Sequence, residues 1–280
     1  MILDSAAYPA PAKLNLFLHV VGRRPDGYHL LQTVFRFLDF GDSLEIESRA
    51  DGEIRLHSAL PGVPEQHDLC WRAATLLREH TGCRLGADLR LVKRLPLGGG
   101  LGGGSSDAAS VLLVLNRQWK LDLPRSELQT LGLRLGADVP VFVFGRSAFA
   151  EGVGEVLRAW TPAPASYVVL TPPAQVSTPA VFAHAGLTRN TPAVTIAALS
   201  DGFGHNDLQP VARALHPPVA EYLDWLKTMG DARMTGSGAC VFAAFPDRAT
   251  AERVFAARPG HMSGFVADGV DQHPLHGYAD

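Results

Sequence analysis

Leu95 to Ser110 read LPLGGGLGGGSSDAAS: six glycines in seven positions, then two serines, an aspartate and alanines. Glycine loses more conformational entropy on ordering than any other residue. Its concentration just before an apolar, helix-patterned stretch therefore needs a reason. Close approach of the backbone to another group is one. At a helix amino terminus that group is often a phosphate, met by free N–H groups and the positive end of the helix dipole.

Other glycine-rich patterns compete. A Walker A loop requires a Gly-Lys pair, and the chain has none. Gly98, Gly100 and Gly103 satisfy the spacing of a dinucleotide fingerprint, but a run this dense meets so loose a pattern by accident. A flexible linker is rarely flanked by a strand and a strongly apolar helix. A phosphate cradle, with Ser105 and Ser106 adding hydroxyl donors, fits best. A second cluster, MTGSGAC at 234–240, reads alone as a hairpin turn, and together with the first as a clamp from elsewhere in the chain.

The rest of the chain sets the bounds. Over 280 residues, 46% are hydrophobic and 19% charged, the composition of a globular protein with a substantial core. The net charge of −3 offers no electrostatic footprint for nucleic acid. Cys70, Cys83 and Cys240 are far apart and form no CxxC pair, which points to a reducing compartment. MILDSAAYPAPAK has no basic segment leading into an apolar one, so no signal peptide is expected. No apolar run approaches the ~18 residues of a spanning helix. A cytoplasmic protein without membrane attachment is expected, as a monomer or weak homodimer.

Residues 12–21 alternate as a strand, with Leu14, Leu16, Leu18 and Val20 on one face and Lys13 and Asn15 on the other. GRRPDGYH supplies a turn. SLEIES (43–48) and EIRLHS (53–58) read as a strand pair around Ala50–Gly52. Helices are expected at 68–80, at 105–119 with Ser105, Ser106 and Asp107 as cap and first turn, and near 125–135. A strand precedes Pro96. Past residue 158 the chain turns rich in proline and threonine, which places a boundary near Arg158–Ser166. Beyond it come a strand at YVVLTP, a helix at 219–230, two short strands around the second glycine cluster, a helix at 247–258 and a final strand at 264–270. Strands and helices without strict alternation give an α+β fold in two domains, 1–158 and 159–280.

Three further features bear on chemistry. Lys13 is one of four lysines, and alone it reads as a solvent-facing residue of an edge strand. Asp138, within GADVPVFVFG, reads either as a helix cap or as a hydroxyl-activating base paired with a lysine. His273 and His276 have His-x-x-His spacing but no evident third ligand, and read as tail residues and not metal ligands.

PAKLNLFLHVVGRRPDGYH, LPLGGGLGGGSSDAAS, LGADVPVF and MTGSGACVF, in this order and at these intervals, resemble the GHMP kinases from Lys13 to about Phe242. That resemblance implies a two-domain α+β fold, with an N-terminal ATP-binding domain and a C-terminal ferredoxin-like domain. Pro96, Leu97, Gly98, Gly99, Gly100, Leu101, Gly102, Gly103, Gly104, Ser105 and Ser106 would wrap the phosphates of ATP. Asp138 would act as general base and Lys13 would orient the acceptor hydroxyl. The doubled glycine triplet and the GYH at 27–29 point to a branch that phosphorylates the 2-hydroxyl of a cytidine-diphospho-methylerythritol, a step of the non-mevalonate route to isoprenoid precursors. Tyr28 would stack on the cytosine, His29 and Asn15 would make polar contacts, and Phe182 would close the other face or serve as a helix core residue. Mg²⁺ is expected as the ATP complex, with Ser106 as a possible hydroxyl ligand and no carboxylate ligand mapped. The alternatives are a kinase for another small alcohol, such as homoserine or mevalonate, and a nucleotide-binding homologue without catalysis.

Overall fold

The computed structural model describes residues 7–58 and 62–279. The expectation about a targeting segment rests partly on Met1–Ala6, outside that range. Strand β1 (Tyr8–Arg23) pairs antiparallel with β2 (His29–Arg49) over almost its whole length. The alternation at 43–48 marked only the far half of β2. From Gln32 to Leu38 both faces are buried, so no period of two exists to be read. Register shifts between Pro11 and Lys13 and between Asn15 and Leu18 also break the alternation expected in β1. Lys13 and Asn15 themselves keep an unbroken register with Phe37 and Phe35, but β1 is covered on both faces here, so they are 1% and 3% exposed.

The expected hairpin of 43–48 with 53–58 does not form. β3 (Ile54–Leu56) instead lies parallel to β4 (Gly86–Val92), and β4 separates it from β2. Helix α1 (Leu69–Thr81) makes that crossover. Asp68 caps it by accepting from the Cys70 N–H, and Gly82 ends it in the left-handed conformation.

Helix α2 (Gly103–Gln118) begins two residues before the expected start. Gly102, at φ 73°, is its N-cap, and Ser106 through Asn116 are all buried. A helix wrapped on every side lies at the centre of a core, and the sheet and α1 enclose this one. Asp107 is therefore no cap; its carboxylate pairs with Lys93. Next come α3 (Arg125–Leu135), the short α4 (Val139–Phe144), and the hairpin of β5 (Ala148–Glu151) and β6 (Val156–Ala159), which adds to β2.

The remaining elements are β7 (Ser166–Leu170), α5 (Thr178–Ala183), α6 (Gln209–Leu215), α7 (Pro217–Lys227), β8 (Ala232–Met234), β9 (Val241–Phe245), α8 (Arg248–Ala256) and β10 (Gly264–Val270). The sheet runs β3-β4-β2-β10-β7-β9-β8, and two pairs, Gly269 with Leu38 and Val270 with Phe37, join its halves. β1 also bridges them: Ala10 belongs to the core around α2, and Leu18 and Val20 to the core beneath α7. This strand carries Lys13 and Asn15 along the seam.

The chain end is not a loose tail. Leu275 and Ala279 join the α2 core, and His273 is 1% exposed with its ring edge-on to Phe37 and Phe142. Burial pushes His273 down to about 3. Among the described residues, no helix is long and apolar enough to cross a membrane.

Candidate active site

Lys13 has three ammonium protons and three partners. Its Nζ donates to Asn15 Oδ1 at 2.5 Å and to the Gly100 carbonyl at 3.0 Å, and lies 3.2 Å from Asp138 Oδ2. Asn15 Nδ2 in turn donates to Thr33 Oγ1 at 3.0 Å. Lys13 is thus a fixed positive charge in a buried slot. The Asp138 side chain is 36% exposed and makes no cap hydrogen bond, although it stands at the amino end of α4. The aspartate faces the opening and the lysine lies behind it.

The glycine run is pinned, which rules out a linker. Leu101 O accepts from the Lys13 N–H at 2.9 Å, and Gly99 O accepts from the Cys240 N–H at 3.1 Å. Thr235 Oγ1 donates to Gly100 O at 3.3 Å and accepts from the Asn15 N–H at 2.9 Å. The two glycine clusters therefore meet, with the Lys13 strand against both. A side chain on Gly102 would bring Cβ within 2.9 Å of the Phe142 ring and 3.0 Å of Lys13 Cε. At Gly98 nothing lies within 4 Å, so its backbone, at φ +68°, is open to an incoming group.

Beneath the loop sits a charged cluster that the sequence did not signal. Lys93 Nζ binds Asp42 and, at 3.0 Å, Asp107 Oδ2. Asp42 Oδ1 also accepts from the Arg94 and Leu95 N–H groups at 2.6 and 2.8 Å, fixing the entry to the glycine run. Burial pushes Asp107 up to about 7, against the pull of Lys93 and with a further push from Asp42. Ser106 Oγ is fully buried without a hydrogen-bond partner, as is Asp107 Oδ1. Orphaned oxygen donors in the first turns of a helix suit a hard cation that arrives with a phosphate. Among the described residues, no three His, Cys, Asp or Glu side chains converge as a metal site of their own.

Tyr28, His29 and Phe182 come from the turn after β1, the start of β2 and helix α5. They line one cavity of about 570 Å³ together with Arg23, Pro179 and Ala137. Tyr28 is 64% exposed. The His29 ring stacks on Phe182 at 4.8 Å between centroids. Phe182 is half-buried, so it serves both the C-terminal core and the cavity wall. Burial, then the charges of Arg189 and Arg23, hold His29 below the usual imidazole range. Asn15 is not part of this wall; it belongs to the Lys13 group.

Residues 68–146 match the family model described as GHMP kinases N terminal domain, and residues 188–263 the model described as GHMP kinases C terminal. The chain belongs to the GHMP kinase family. A relative from Thiobacillus denitrificans, named 4-diphosphocytidyl-2-C-methyl-D-erythritol kinase, is 61% identical over 98% of this chain and 99% of its own length. A crystal structure of 4-(cytidine 5'-diphospho)-2C-methyl-D-erythritol kinase matches with a TM-score of 0.82 at 34% identity, covering 94% of this chain and 99% of the other. A mevalonate kinase structure matches at 0.68 and 14% identity over 96% and 100% of the chains, which shows shared fold alone. The resemblance read from the sequence motifs holds, and with it the two-domain GHMP kinase fold. The two matched segments contain the glycine run, Asp138 and the second glycine cluster. Lys13, Asn15, Tyr28, His29 and Phe182 lie outside both, and it is the fold of this GHMP kinase that brings them alongside.

Proposed function

We propose that this GHMP kinase transfers the γ-phosphoryl group of ATP to the 2-hydroxyl of 4-diphosphocytidyl-2-C-methyl-D-erythritol. The observation that carries the substrate assignment is the cavity wall, which runs from Tyr28, His29 and Phe182 to Ala137, the residue before Asp138. An aromatic slot for a base thus ends beside a carboxylate. Relatives of high identity that carry this substrate in their name support the assignment.

Phosphoryl transfer asks mainly for positioning and electrostatic stabilisation, plus an acceptor for the hydroxyl proton. Asp138 takes that proton as the new O–P bond forms. The bond from the γ-phosphorus to the bridging oxygen breaks, and ADP leaves. Lys13 steers the Asp138 carboxylate and offsets negative charge at the acceptor oxygen. Residues 96–106 hold the phosphates on backbone N–H groups and the amino end of α2. Asn15 keeps Lys13 in register. Mg²⁺, held on Ser106 Oγ, would neutralise charge across the phosphate oxygens.

The same reading has residues 1–158 hold ATP and residues 159–280 complete the substrate side, with action in the cytoplasm as a monomer or weak homodimer and no nucleic acid partner. The matched segments fall on either side of residue 158, which supports that division. A coupled ADP-release assay tests the assignment, offering the cytidylated methylerythritol beside homoserine and mevalonate. Turnover of the first alone is expected. Comparable turnover of either decoy overturns the assignment and leaves the family intact.

A further inference from the structure

Arg189 ties two walls of the aromatic slot together. Its Nε donates to His29 Nε2 at 3.2 Å, and its Nη2 donates to the carbonyls of Phe182 and His184 at 2.8 and 2.9 Å. Nη1 donates to Leu187 O at 3.1 Å. A guanidinium has five donors, no acceptor, and keeps its proton at any working pH. Whatever faces Arg189 Nε must therefore offer a lone pair. His29 Nε2 does so only if its ring proton is on Nδ1. The imidazolium, with both nitrogens protonated, would aim an N–H at the guanidinium, and burial, then the charges of Arg189 and Arg23, disfavour that form.

His29 Nδ1 has no hydrogen-bond partner among the described residues, and the ring lines the 570 Å³ cavity. In that tautomer the unpaired ring nitrogen of this lining residue is a donor, Nδ1–H, available to a base in the cavity. Cytosine and uracil have nearly the same shape but differ at ring N3, an acceptor in cytosine and an N–H donor in uracil.

We infer that Arg189 is a positioning residue that locks His29 in the Nδ1–H tautomer, so that the slot selects cytosine over uracil at ring N3. The inference rests on the cytidylated substrate proposed above. Two donors facing each other in a desolvated slot leave both unpaired, which disfavours the uridylated analogue by roughly 10- to 100-fold.

Two measurements test this. Long-range ¹H–¹⁵N spectra of the ligand-free, ¹⁵N-labelled protein, assigned by comparison with His29→Gln, read the tautomer directly. The wild type is expected to show Nδ1–H, and an Nε2–H tautomer overturns the inference without any variant. Steady-state kinetics then compare KM for the cytidylated substrate and its uridine counterpart in wild type, Arg189→Lys and Arg189→Gln. Lysine is still a donor with no acceptor, so Arg189→Lys should keep the tautomer and the discrimination. Glutamine offers an acceptor, so Arg189→Gln should admit Nε2–H and bring the two KM values within about threefold, the 10- to 100-fold preference being lost. A purely structural role would make Lys and Gln equally damaging, and that outcome also overturns the inference. If the wild type uses neither nucleotide, the substrate assignment fails, and the spectrum of the ligand-free protein still decides whether Arg189 sets the tautomer.

Discussion

Lys13 Nζ lies 3.2 Å from Asp138 Oδ2, yet the lysine side chain is 2% exposed and the aspartate 36%. The pair is lopsided: a locked cation holds an anion that can still reach a ligand. Asn15 and the Gly100 carbonyl take the other two lysine protons, so Lys13 keeps its place if Asp138 loses its charge.

Asp138→Asn should therefore fold normally. The side chain caps nothing and asparagine keeps its shape, but the buried Lys13 loses the anion beside it, so a stability loss of about 1–3 kcal/mol is expected without loss of the fold. The loss should fall on kcat, by roughly 10²- to 10⁴-fold, the scale of general-base catalysis. Isothermal calorimetry should find ATP affinity little changed. A large drop in melting temperature with kcat intact would make Asp138 a structural residue.

The glycine run divides into positions that serve the ligand and positions that serve the fold. Gly98→Ala meets no neighbour and carries only the left-handed backbone penalty, about 1–2 kcal/mol. It should remain folded and raise KM for ATP. Gly102→Ala bears the same penalty and also pushes on Phe142 and Lys13. It should melt lower and lose kcat as well, because the displaced lysine is the partner of Asp138. Equal effects of the two variants on kcat would contradict this division.

What the sequence revealed follows from where local pattern governs. The helix expected near 125–135 was legible, and the start of α2 to within two residues, because apolar spacing and glycine punctuation act locally. Lys13 was not legible as a buried residue. Its burial comes from segments far along the chain that cover this face of β1: Gly100 O accepts from Lys13 Nζ, and Thr235 Oγ1 accepts from the Asn15 N–H. The first half of β2 escaped because a strand covered on both faces has no alternation. Asp42, Lys93 and Asp107 each look like ordinary surface charges until the fold buries them together. Tyr28, His29 and Phe182 entered through family resemblance alone; no spacing links a turn, a strand start and a helix that meet only in three dimensions.

Tyr28 should affect recognition and leave chemistry alone. At 64% exposure it contributes little to the core, so Tyr28→Ala should melt close to wild type. Stacking of a base on an aromatic ring is worth about 1–3 kcal/mol. A contact remote from the transferring group acts equally in ground and transition states, and so appears in KM. KM for the cytidylated substrate should rise about 10- to 100-fold on that scale, with KM for ATP unmoved. Tyr28→Phe keeps the ring and should behave as wild type. An unchanged KM in a well-folded Tyr28→Ala protein would remove the slot from the substrate assignment.

His273 gives the fold a dependence on pH that can be isolated. Burial lowers its pKa from 6.5 to about 3, so between those values the unfolded chain binds a proton that the folded chain refuses. The stabilising contribution is therefore complete above pH 6.5 and is lost as pH falls toward 3, at up to about 1.4 kcal/mol per pH unit. His19, His29 and His276 are also lowered, so the raw acid sensitivity of the wild type does not single out His273. A difference does. His273 Nδ1 accepts from the Leu275 N–H at 3.0 Å, and the amide oxygen of His273→Asn can take over that bond without titrating. At pH 8 the variant should be less stable, because the smaller side chain leaves a void against Phe37 and Phe142. Between pH 6.5 and pH 5 that deficit should shrink by up to about 2 kcal/mol in urea unfolding, as the wild type loses its share and the variant does not. A deficit that stays constant over this range would mean that His273 takes up its proton while folded, and that the chain end opens to water near neutral pH.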